Sequence, residues 1–140
     1  DFINKKGFYI ICVDFLKFLK KLTEEISGDE ELVEEVIHYK EGLEAAFTNI
    51  KRCCDIIRDL NTKFDDYNKR AGELEYIIKS RSYDDEEYDD LMDEAEVYIN
   101  RMKYALEEMK KYEREYLEPE VEKFISKALE VCDIILKSGQ

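Results

Sequence analysis

Between Leu32 and Ile78 the chain can be stepped in alternating strides of four and three residues without landing on a charged side chain. The positions are Leu32, Val36, Tyr39, Leu43, Ala46, Ile50, Cys53, Ile57, Leu60, Phe64, Tyr67, Ala71, Leu74 and Ile78. A mean stride of 3.5 residues is the period of a helix laid along another helix. A chain with such a seam is expected to build long helices with thin cores. One proline and five glycines in 140 residues leave little punctuation for strands, and no alternating strand pattern is present.

Three further helices follow from the same argument. Residues 7–26 carry a face of Phe8, Ile11, Cys12, Phe15, Leu19, Leu22 and Ile26. Tyr9, Ile10, Val13, Leu16 and Phe18 widen it, so neighbours are expected on more than one side. Ser27-Gly28 supplies a left-handed stop, and Asp29 caps a second helix over 29–79. Asn61-Thr62 is its weak point, where a break would make a rounder bundle. Ser80-Arg81-Ser82 forms the next turn, with Ser82 as cap. A third helix, 83–117, has its own seam: Tyr88, Leu91, Ala95, Tyr98, Met102, Ala105, Met109, Tyr112 and Tyr116. A fourth, 119–137, carries Val121, Phe124, Ile125, Ala128, Leu129, Cys132 and Ile135. Pro119 either kinks one long helix or opens a new one after a reversal.

The flanks of the long seam predict its neighbours. Val33, Ile37, Ala45, Phe47, Cys54 and Ile56 make its first half wide, whereas Asn61, Lys63, Asn68 and Arg70 make its second half narrow. A wide apolar face needs two or more partners and a narrow one needs a single partner. The expected fold is a single all-α domain: an elongated, coiled-coil-like antiparallel helical hairpin with a three- or four-helix bundle at one end. The bundle is expected near 7–57 and 105–137, and the stalk near 60–104.

A formal net charge of −13 repels nucleic acid and anionic membranes over a Debye length. Neither is expected as a partner, apart from the special case of an acidic mimic that occupies a nucleic-acid-binding protein. No stretch approaches a membrane span. A protein with a basic surface is the expected partner, and an exposed seam also allows a homodimer.

Four residue groups are of types that carry chemistry. Cys12, Cys53, Cys54 and Cys132 make no C-x-x-C and face a single histidine, His38, so no zinc site is expected. They are candidates for two disulfides, because adjacent Cys53 and Cys54 point about 100° apart on a helix. One would reach the first helix and the other the last; core thiols are the alternative. The acidic block from Tyr83 to Glu96 holds nine carboxylates and no Lys or Arg. Within it Tyr83, Asp84, Asp85, Glu86, Glu87, Tyr88, Asp89 and Asp90 are the expected partner-binding residues. In a secreted protein Tyr83 and Tyr88 would also suit sulfation. The block lacks the glycine and ligand spacing of a calcium loop. His38 reads as a surface residue beside Glu34. Five of the ten tyrosines, Tyr39, Tyr67, Tyr98, Tyr112 and Tyr116, lie on the seams as core-edge residues, or as the lining of a ligand slot.

No catalytic constellation, metal site or cofactor motif is expected. The expected function is non-catalytic protein binding through an acidic helical face. The four cysteines and the start at Asp1 point towards a secreted factor. The alternatives are an intracellular coiled-coil tether or adaptor, and a carrier of an apolar ligand within the bundle.

Overall fold

The structure is a computed structural model that describes residues 5–26, 28–82, 84 and 86–139. It is all-α. Helix α1 spans Lys5–Glu25, α2 Glu30–Lys79 and α3 Tyr88–Tyr112; a π-helical segment follows at Glu113–Leu117, and α4 spans Glu118–Ser138. The chain divides into two compact units. One comprises Asp1–Lys51 and Glu118–Gln140, and the other Arg52–Leu117. Helix α2 belongs to both.

Local chemistry sets the helix ends. Gly28 takes φ +95°, a conformation that costs a side-chain-bearing residue strain. The Leu32 amide donates to Asp29 Oδ1 at 3.1 Å, so Asp29 caps α2, and Glu30 and Glu31 place negative charge in its first turn. Asp29→Ala should lower stability by about 0.5–2 kcal/mol in a urea titration. Helix α2 runs unbroken through Asn61-Thr62. There the Thr62 hydroxyl donates to the Arg58 carbonyl at 3.1 Å and stays within the helix instead of opening it. Fifty residues at 1.5 Å each make α2 about 75 Å long.

Helix α3 begins at Tyr88 and not at residue 83. Glu87 stands at the N-cap without a side-chain capping bond. Ser82 serves the turn instead, accepting the Asp84 amide at 3.3 Å.

The first unit is a three-helix bundle. Rings lock it together: Phe8 of α1 meets Phe124 of α4 edge-on at 6.1 Å, Tyr9 meets Phe47 of α2 at 5.1 Å, and Phe47 meets Phe124 at 6.5 Å. Cys12, Leu19, Val36, Leu43 and Val131 are fully buried among them. Each fully buried leucine stabilises the fold by about 1.5–3 kcal/mol. Tyr39 donates its hydroxyl to Glu130, and Gly42 lies beside the Lys127 side chain. These pairs make α4 antiparallel to α2.

Helix α1 meets two neighbours, α4 through Phe8 and Phe124 and α2 through Tyr9 and Phe47. Its buried line is Cys12 and Leu19, and Ile11 is 63% exposed along with Tyr9, Ile10 and Phe18. Of the residues that widen the face, Val13 and Leu16 are half-buried, and Tyr9, Ile10 and Phe18 stay exposed. On α2, Ile37 and Ala45 are likewise exposed.

The second unit is an antiparallel hairpin of α2 and α3. Arg70 on α2 pairs with Glu94 on α3 at 3.0 Å, and the Tyr67 and Tyr98 rings lie 6.1 Å apart. Leu74, Ala105 and Leu117 are its most deeply buried side chains. Every member of the long seam, from Leu32 to Ile78, is at least half-buried.

Pro119 is passed by helix, without a loop. The π segment lies immediately before it, where a regular turn would press the proline ring against the carbonyl four residues back. The wider π turn contains an extra residue per turn, and this moves the seam by one position. Leu117 is fully buried where the regular spacing predicts Tyr116, which is 47% exposed. Tyr116 packs instead against Tyr112, with ring centroids 5.1 Å apart and the planes tilted by 37°.

Candidate functional site

Two features of the hairpin unit can meet a partner. The first is the acidic turn between α2 and α3. Asp84, Glu86, Glu87, Asp89 and Asp90 are exposed and Tyr88 is half-buried. Tyr83 and Asp85 lie outside the described residues. Arg81 pairs with Glu87 at 3.2 Å. Among the described residues, Asp84, Glu86, Asp89 and Asp90 make no ion pair. The negative potential of this turn therefore faces solvent, with limited compensation from Arg81.

The second feature is a groove of about 410 Å³ between α2 and α3. Its apolar lining is Leu60, Val97 and Ala105; its rings are Tyr67 and Tyr104; its polar side chains are Lys63, Asn100 and Arg101. The Arg101 guanidinium lies 5.3 Å from the centre of the Tyr98 ring and 5.9 Å from that of Tyr67. Sequence reasoning set Leu60, Tyr67, Tyr98 and Ala105 on the seams and Lys63 on the narrow flank, but passed over Val97, Asn100, Arg101 and Tyr104. A signal was present: Leu60, Lys63 and Tyr67 recur at three and four residues, as do Val97, Arg101 and Tyr104 at four and three. Each triplet is one face of a helix, and their opposition across the hairpin is a tertiary fact.

The structure joins no pair of the four cysteines in a disulfide, a correction to the expected cross-links. In the bundle unit, Phe8 meets Phe124, which sets Cys12 level with about residue 128. Cys132 is a further turn along, about 6 Å on the helix axis, an offset that by itself nears the upper end of the Cα separation a disulfide spans, about 4.4–6.8 Å. Cys132 is level with the part of α2 near residue 37, because Glu130 meets Tyr39. Cys53 and Cys54 belong to the hairpin unit. Burial raises the Cys12 thiol from 9.0 to about 11, so it stays protonated and packs as a small apolar side chain.

The remaining candidates are separate from both features. His38 is exposed beside Tyr39, their rings 6.2 Å apart. The hydrogen bond to Glu130, with burial second, raises the Tyr39 hydroxyl above its ordinary value. Of the other seam tyrosines, Tyr112 and Tyr116 line up with each other across the π segment. Among the described residues no three His, Cys, Asp or Glu side chains converge as a metal site. No helix of the described residues is long and apolar enough to cross a membrane. Comparison with protein-family models, with curated proteins and with solved structures finds no match.

Proposed function

We propose that the protein is a non-catalytic binding factor whose acidic α2–α3 turn engages a basic surface on another protein. The observation that supports this is the set of exposed carboxylates at Asp84, Glu86, Asp89 and Asp90 with no ion pair among the described residues. Carboxylates crowded on a turn repel one another, and a cationic surface relieves that repulsion while it steers encounter. The two helices hold the turn, and Arg70–Glu94 and Tyr67–Tyr98 tie them together.

The test must separate a local site from overall charge. A basic test protein such as lysozyme is titrated at low and moderate salt, with affinity read by calorimetry. The variant Asp84→Asn, Glu86→Gln, Asp89→Asn, Asp90→Asn should lose affinity about tenfold or more. A control variant, Glu24→Gln, Glu31→Gln, Glu34→Gln, Glu41→Gln, removes the same charge from exposed positions of the bundle unit. It should lose much less. Equal losses in the two variants would assign the binding to net charge and remove the turn as its site.

A further inference from the structure

The groove of the hairpin unit has the wrong charge for its surroundings. One residue in four of this chain is acidic, 35 of 140, yet none of the eight lining residues is Asp or Glu. Two are cations, Lys63 and Arg101. Neither makes an ion pair among the described residues. Arg101 is held over the faces of Tyr67 and Tyr98, where ring quadrupoles partly stabilise its charge and fix the guanidinium plane. A carboxylate would have satisfied it more strongly, and several lie near it in the sequence. The hairpin thus presents a positioned guanidinium and an ammonium on a surface whose net charge is negative.

The other walls define the shape of what would meet these cations. Leu60, Val97 and Ala105 form an apolar floor, and Tyr67 and Tyr104 supply ring faces. Tyr104 is 64% exposed, a large aromatic surface kept in water at the edge of a cavity. Flat apolar bodies stack on such rings. An anionic group on that body accepts charge-assisted hydrogen bonds from Arg101, and Asn100 supplies one further donor. A volume of about 410 Å³ falls within the range of about 300–1,000 Å³ usual for small-molecule sites, enough for two or three fused or linked rings.

We infer that this groove is a binding site for a small amphipathic anion, a planar aromatic or apolar body bearing one carboxylate, sulfonate or sulfate. The site is separate from the acidic turn, and its occupancy does not depend on a protein partner.

Two dyes with one skeleton test it: anilinonaphthalene sulfonate and its uncharged parent, N-phenylnaphthylamine. Binding is read from dye emission and from quenching of tyrosine emission, since the chain has ten tyrosines and no tryptophan. The sulfonate should bind one to one and about tenfold or more tighter than the neutral dye. Arg101→Gln should weaken the sulfonate about tenfold and leave the neutral dye within about twofold. Lys63→Gln, an exposed position without an ion pair, should weaken the sulfonate about threefold, and it keeps the test decisive if the Arg101 variant does not fold. Chemical-shift changes at saturation should fall on Tyr67, Tyr98 and Tyr104. Equal affinities for the two dyes overturn the inference. So does full sulfonate affinity in a folded Arg101→Gln or in Lys63→Gln, or shifts centred on the exposed apolar residues of α1 and α4.

Discussion

Leu117→Ala should lower the stability of the protein by about 2–5 kcal/mol, the usual loss for removing a fully buried leucine. Tyr116→Ala, one residue earlier, should cost less, about 0.5–1.5 kcal/mol. The contrast follows from the π-helical segment Glu113–Leu117. A regular helix would carry the α3 seam from Tyr112 to Tyr116 and turn Leu117 aside. The extra residue in the π turn reverses this, so Leu117 is fully buried while Tyr116 is 47% exposed. What Tyr116 retains is its contact with the Tyr112 ring, worth about 0.5–1.5 kcal/mol for an aromatic pair. Urea unfolding of both variants measures the difference. A Tyr116→Ala loss larger than that of Leu117→Ala would mean that the helix passes Pro119 in regular phase.

Alkaline titration should reveal Cys12. Its thiol titrates near 9.0 in the unfolded chain and near 11 in the fold, where burial disfavours the thiolate. Between those values the folded state keeps a proton that the unfolded state has lost, so stability falls as pH rises. The contribution is fully present below about pH 9 and is lost by about pH 11. At about 1.4 kcal/mol per pH unit, the loss is about 2–3 kcal/mol. Lysines and tyrosines titrate in the same window, so the measurement is the difference in slope between the native chain and Cys12→Ala. Cys12→Ala should lack this component even though it is less stable at neutral pH. Parallel curves for the two proteins would show that the thiol titrates without hindrance.

The long seam was legible because a helix in contact with another along its length has no freedom in where its apolar residues fall. The positions at strides of four and three are all at least half-buried. The Gly28 stop and the Asp29 cap were legible for a local reason: both act within a turn of the backbone they serve. The fate of α1 was not legible. Phe8 through Leu22 is apolar on several faces, and composition alone cannot say which face its neighbours will reach. The phase shift before Pro119 was not legible either. Proline announces a conflict with the preceding turn, and the conflict admits a kink, a reversal or a widened turn.

The candidate site divides in the same way. The acidic turn could be read directly, since nine carboxylates without a basic residue must seek solvent or a cation wherever they are placed. The start of α3 could not, because Ser82 bonds within the turn and Glu87 stands at the N-cap without a side-chain cap bond. The groove was hidden because its residues come from two helices far apart in sequence, and only the pairing register brings Lys63 and Tyr67 opposite Arg101 and Tyr104.

By itself, then, the sequence determined that this protein is helical, that α2 and α3 pair along a seam, and that its surface is acidic. Those properties depend on residue spacing and on the sum of charges, which no packing arrangement can alter. Tertiary structure decided that Leu117 and not Tyr116 faces inward, that no pair of cysteines is bridged, and that Arg101 rests on two tyrosine rings. Each of these depends on the register between helices, where a shift of one residue turns a side chain by about 100°.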